Sequence, residues 1–528
     1  MKTFISIATI LGTIFHASAY DILKDGIFYN ITSESDKIIE VNAGPLPYRG
    51  DFNIPTTVTH NSQTYTVTAI GHQAFAYSDG LSVQLPNTIT SIGEEAFFWC
   101  VIYSLTLPNS VSYIGDGAFG YSRINSIVIP NSVTVIGNRT FEACNNLTTV
   151  TIPNSVTSIG EFAFDNCTSL MSISIPNSVT SISDGAFYNC SALTSASLPN
   201  SIVTIGKYAF SQCHSLTSLE IPNSVSHISN NAFEGCNNLI SVILPNAITA
   251  ILDNTFSGCT QLTSLIIPNS VTTIGKEAFF NCSNLEYITI PNTVSNIGEY
   301  AFWGCENLVS AKLPESLTVL EPGTFFCCHK LASITIPNSV ISIGSEAFDW
   351  CTSLTSINIP QSVTNIGSGA FGNCTSLTSV SIPVSMKAIE NYAFYGCSKL
   401  SKIYCLSTTP PEAADNCFSD ETLINATLYV PKGSKSEYEQ TAPWRNFFNI
   451  VGSDFSGVTT VPMDDSSQVQ LSVESGILTI SGLDTGTPIA IHDMQGRMVY
   501  SGTSHTITHL VPGLYILRTP SLTTKFSL

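Results

Sequence analysis

Apolar and polar positions recur in a fixed order along most of this chain. The stretch from Leu262 to Asn284, LTSLIIPNSVTTIGKEAFFNCSN, shows that order in full. Leu262, Leu265 and Ile267 turn inward while Ser264 and Ile266 turn outward, the periodicity of a strand. Pro268 ends the strand because it has no N–H to give to a ladder, and Pro268-Asn269-Ser270 is turn chemistry. Val271 and Ile274 suit a second, shorter strand that stops at Gly275. Ala278, Phe279 and Cys282 fall at helical offsets, which predicts a single helical turn closing the unit. A shift of 23 residues lands on Leu285, Leu308 and so on to Leu400, and the reverse shift reaches back to Leu147. A fixed period of this size predicts a solenoid in which each coil buries its apolar side chains against its neighbours.

The same pattern sets the domain plan. Prolines at 86, 108 and 130 and then every 23 residues to 383 mark about 15 coils of 22–23 residues, with the array spanning 62–405. The open ends of such an array need covers. Segments 20–61 and 406–452 are placed to provide them, the second with a strand at 426–431 and a short helix at 436–446. Residues 453–467 read as a linker. Residues 468–528 alternate short strands with turns, as in a small β-sandwich. At the other end, Lys2, the apolar run Phe4 to Phe15 and Ala17-Ser18-Ala19 have the form of a secretory leader over 1–19. No other segment approaches membrane length, so the chain is expected to be exported and not membrane-spanning.

Net charge is −19 with 11% charged residues, which excludes a nucleic-acid binder, since no basic stripe could neutralise phosphates. Thirteen of the sixteen cysteines occupy one inward repeat position, Cys100 and then Cys144 through Cys397. They read as a column of buried free thiols; Cys405 and Cys417 lie off that register and could bridge the Pro410 loop. No histidine pair has metal-ligand spacing, and neither a nucleophile elbow nor a glycine-rich phosphate loop occurs. No catalytic residue, metal or cofactor is therefore expected.

Written out as Ile336-Pro-Asn-Ser-Val340, Ile343-Gly344, Ala347-Phe348 and Cys351, the repeat resembles the BspA-like leucine-rich repeat family of bacterial surface proteins. That resemblance implies a β-rich leucine-rich-repeat solenoid acting as an adhesin or binding scaffold rather than an enzyme. The tail resembles the sorting domain of type IX secretion substrates through Ile491-His-Asp-Met-Gln-Gly-Arg497, Pro512-Gly-Leu-Tyr-Ile516 and Lys525-Phe526. Within it Gly496, Arg497, Gly513, Tyr515 and Lys525 carry the motif, which implies secretion machinery as a partner and attachment at, or release from, the cell surface.

Differences between coils point to where a partner would bind. The outward strand position is mostly Thr or Ser, but Ile243 and Ile266 break that rule on adjacent coils, flanked by Glu220, Tyr287 and Lys312. An apolar centre with a polar rim suits a protein partner, such as a host, matrix or neighbouring-cell surface protein. Phe280, Trp303 and Phe326 follow the repeat phenylalanine on three consecutive coils. They either pack into the ridge between coils or form an exposed strip for a protein or glycan. Glycan binding would require the rings in a flat, open row. A structural surface-layer component is the third class, and it would show no patch.

Overall fold

The computed structural model describes residues 20–455 and, beyond them, seven strands between 470 and 527. The leader 1–19, most of the linker 453–467 and the motif residues Gly496, Arg497 and Gly513 lie outside the described residues. The chain divides into two units, Met1–Thr459 and Thr460–Leu528.

The first unit is a β-solenoid. In the reference coil the strands are Ser264–Ile266 and Thr273–Ile274. Each pairs in parallel with its counterpart one coil on, so that Leu265 stands opposite Ile288 and Ile274 opposite Ile297. Leu262, Leu265, Ile267, Val271 and Ile274 are all buried, as the alternation demands. The Pro-Asn-Ser corner does more than end a strand. The hydroxyls of Ser201, Ser339 and Ser362 each donate to a carbonyl of the preceding coil, at Val179, Leu317 and Val340, at 2.6 Å. In those coils serine satisfies a backbone acceptor that the strand ladder does not reach, whereas the buried hydroxyls of Ser224 and Ser270 at the same place have no partner among the described residues.

The segment expected as a helical turn is not a helix. An α-helix would send every N–H to the carbonyl four residues back. Here alternate N–H groups point in different directions. Trp303 and Cys305 close local turns on Tyr300 and Phe302, at 3.1 and 3.2 Å, while Tyr300, Phe302 and Gly304 donate to Pro322, Thr324 and Phe326 of the next coil, at 2.8–2.9 Å. Left-handed backbone at Tyr300 and Gly304, φ +57° and +72°, makes the alternation possible. The turn is therefore a third ladder between coils. Inside it, sixteen phenylalanines from Phe75 to Phe418 stack with centroids 5.2–5.9 Å apart and planes within 14°.

Both ends are covered by layers that imitate a coil. Ile38–Asn42 pairs in parallel with Gln63–Ile70, and Arg49–Asn53 with Asp79–Gln84, so one cap layer meets both strand series. Tyr48 closes the phenylalanine stack from below: its ring lies 4.9 Å from Phe75 and its hydroxyl donates to the Asn42 carbonyl at 2.8 Å. At the far end the parallel ladder runs on through Lys402–Cys405 and Thr427–Pro431 to Asn449–Ser453. The expected helix over 436–446 is two pieces, Lys435–Tyr438 and a 3-10 turn Trp444–Asn446. The buried Trp444 donates its indole N–H to Pro411 at 2.9 Å and meets Phe418 edge-on, so the last rung is sealed.

In the second unit, Gln470–Glu474, Ile477–Ser481 and Thr506–Ile507 make one antiparallel sheet. Met498–Gly502, Ile489–Asp493, Leu514–Arg518 and Thr523–Ser527 make another. Ile491 and Ile507 are buried. Tyr515 and Lys525 fall in the last two strands, at neighbouring register positions. Among the described residues no helix is long and apolar enough to cross a membrane.

Candidate functional site

The outward strand position recurs coil by coil along the sheet face, although the hydrogen-bonded ladder is interrupted between Ser241–Ile243 and Ser264–Ile266. Along that face Glu220 stands opposite Ile243, Ile266 opposite Thr289, and Thr289 opposite Lys312. These five side chains therefore come from consecutive coils and all are exposed. Ile243 is 65% and Ile266 86% exposed, large values for aliphatic groups on a folded face. The central residues of the same strands, Val242 and Leu265, are buried, so burial cannot account for isoleucine at the outward position. Tyr287 stands in the parallel outward row, opposite Ser264 and Ser310, and is half-buried. Glu220 and Lys312 are four coils apart, about 19 Å at one strand spacing per coil, so they flank the apolar pair and do not pair with each other. Sequence reasoning missed Ile240, which is exposed just before the strand that carries Ile243.

The three aromatic residues do meet, but not as a flat row. Phe280 and Trp303 have centroids 5.1 Å apart at 71°, and Trp303 and Phe326 4.8 Å apart at 66°. Each ring is half-buried and presents an edge to the face of the next. Edge-to-face packing of this kind binds coils together and leaves no open platform for a sugar ring.

All thirteen column cysteines are free and buried. Each donates its S–H to the carbonyl of a phenylalanine in the preceding coil, as Cys144 does to Phe119 at 3.0 Å and Cys305 to Phe279 at 3.3 Å. Burial pushes these thiols up, Cys144 to about 12, so they are poor nucleophiles. Cys405 and Cys417 do not bridge; both are free. They belong to different inward columns. Cys405 stands opposite Ile382 in the strand ladder and accepts from the Tyr438 hydroxyl at 3.2 Å, while Cys417 takes the alanine place before Phe418. Among the described residues no three His, Cys, Asp or Glu side chains gather as metal ligands.

A second exposed feature went unread in the sequence. Tyr77, Trp99 and Tyr121 stand two residues after successive stacked phenylalanines, all exposed. The available signal was the replacement of the Asn or Gly usual at that place by an aromatic residue in three coils running.

The chain matches the family described as BspA type leucine rich repeat region over overlapping stretches 68–194, 136–263, 180–309, 249–349 and 318–436. It is similar to a leucine-rich repeat protein from Bacteroides ovatus, with 34% identity over 73% of this chain and 95% of that one, TM-score 0.61. A leucine rich cell surface protein from Faecalibacterium prausnitzii is 26% identical over 74% of this chain and 95% of that one, TM-score 0.42. No curated protein matches the chain.

Proposed function

The chain belongs to the BspA-type leucine-rich repeat family, and from that premise we propose that it is a non-catalytic adhesin at the cell surface, binding a protein of a host matrix or a neighbouring cell. The observation that carries this reading is the exposed Ile243–Ile266 pair on the sheet face, bounded by Glu220 and Lys312. Elsewhere the row is chiefly small and polar, and two adjacent aliphatic groups in water are what a partner's apolar surface would cover. The leader-like segment 1–19 and the sorting-like tail support export and surface attachment through secretion machinery. The half-buried, edge-to-face packing of Phe280, Trp303 and Phe326 weighs against a glycan platform.

The test is a pull-down of matrix proteins with the exported protein, run beside a glycan array. Retention of a protein that is lost on changing Ile243 and Ile266 supports the reading; binding confined to glycans overturns it.

A further inference from the structure

Two residues after the stacked phenylalanines the backbone is left-handed in coil after coil, with φ +56° at Asn166, +69° at Gly235, +54° at Asn281 and +72° at Gly304. Glycine and asparagine are the residues that tolerate this conformation, and a bulky side chain rarely adopts it. Yet Tyr77, Trp99 and Tyr121 hold it in the first three coils, at φ +61°, +55° and +59°. They gain no core burial in return, since all three are exposed. Trp99 and Tyr121 stack, with centroids 5.8 Å apart and planes at 23°. Phe98 meets Tyr77 and Tyr121 edge-on, at 5.8 and 5.3 Å. Trp350 holds the same place at φ +61° in a later coil and is exposed too, so what sets the first three coils apart is that their rings meet one another.

Phe98 also lines an adjoining open groove, which ties the rings to a strongly acidic surface. Five carboxylates line that groove, from Glu94, Glu95, Asp116, Glu142 and Glu161, against the single guanidinium of Arg139. Arg139 itself shows what the lining does to a cation. Its guanidinium lies 5.0 Å over the Phe162 ring and pairs with Glu142 at 3.0 Å. A ring face together with a carboxylate is the combination that holds arginine or lysine.

We propose that the Tyr77–Phe98–Trp99–Tyr121 cluster and its acidic groove dock a cationic segment of a partner protein. Arginine or lysine side chains stack on the exposed rings, and their charges pair with the groove carboxylates. The site uses a different face and different coils from the Ile243–Ile266 patch and does not depend on it. A sugar is a poorer occupant, because it brings no positive charge to pair with the groove carboxylates.

The test uses the intact chain and a fluorescent octa-arginine peptide followed by anisotropy at physiological salt. Wild type should bind, and the triple variant Tyr77→Asn, Trp99→Asn, Tyr121→Asn should bind about tenfold more weakly or worse. Asparagine suits the backbone there, so Tm should hold or rise. The pair Glu94→Gln, Glu161→Gln should weaken binding as well, and Ile243→Thr with Ile266→Thr should not. Equal binding by wild type and the aromatic triple variant would overturn the proposal, because attraction to a chain of net charge −19 would then be all there is. Equal binding of a neutral peptide of the same length, or displacement of octa-arginine by a neutral oligosaccharide, would overturn it too.

Discussion

The Sγ of Cys282 donates to the carbonyl oxygen of Phe256 at 3.2 Å, one coil away, so the thiol column is a line of hydrogen bonds between coils. The same carbonyl already accepts the N–H of Cys259 at 3.1 Å, which puts two bonds on one buried oxygen. A cysteine drawn into a disulfide here would lose its S–H donor and leave that carbonyl with one partner.

Free buried thiols predict a labelling pattern. Burial lifts the thiols of the column well above their usual value, so at pH 8 the reactive thiolate is scarcer than in an ordinary cysteine. The folded protein should alkylate slowly, and first at Cys327, which is half-buried and raised only to about 11. Denaturation without reductant should release at least the thirteen column thiols. Peptide mass spectrometry showing cross-links between successive column cysteines would contradict this.

Asp165 gives a pH dependence. The residue is buried, and burial with Glu142 nearby lifts its carboxyl to about 6, against a smaller opposing pull from Arg139. Its ordinary value is about 3.9, so the folded state holds the proton more tightly. The stabilising contribution is full below about pH 4 and is lost as pH rises through about 6. Asp165→Asn should therefore raise stability at pH 8, by at most about 3 kcal/mol, and change little at pH 4. Urea unfolding at the two pH values checks it; equal effects at both would show that the carboxyl is not strained by burial.

Inward positions were legible because burial leaves them little freedom: Leu262, Leu265, Ile267, Val271 and Phe279 all lie where strand alternation and the repeat put them. The closing turn was misread for a physical reason. Ala278, Phe279 and Cys282 keep helix-like spacing, but left-handed Glu277 and Asn281 turn alternate N–H groups toward the next coil, and periodicity does not record φ. The last rung was hidden because Cys417 stands where the repeat has alanine before Phe418. Surface features fared unevenly. Ile243 and Ile266 stood out as exceptions in a polar row, whereas Trp99 looked like one more aromatic residue until its backbone was known.

The tail should be separable. The division between Thr459 and Thr460 and the self-contained sheets after it point to an independent unit. Deleting 468–528 should leave the solenoid with its unfolding midpoint unchanged. If the tail is a sorting domain, the shortened protein should also fail to reach the cell surface. Normal surface display of the deletion would refute the sorting role while leaving the fold untouched.

The sheet-face patch yields the last prediction. Ile243 and Ile266 project from strands whose other residues are already satisfied, so neither side chain holds the coil together. Thr289, the next residue in the row, shows that threonine is accepted at this position. Ile243→Thr with Ile266→Thr should thus move stability by no more than about 0.5 kcal/mol per site. Binding should respond differently. The pair is the apolar centre of the proposed contact, and truncating a central contact commonly costs about 2 kcal/mol or more, roughly thirtyfold in affinity. Glu220→Gln or Lys312→Gln, at the rim, should instead alter the association rate and its salt dependence, with little change in the complex's lifetime. A double threonine variant that keeps both its unfolding midpoint and its full affinity would show that the isoleucines are tolerated there without purpose, and the adhesive surface would have to be sought elsewhere on the solenoid.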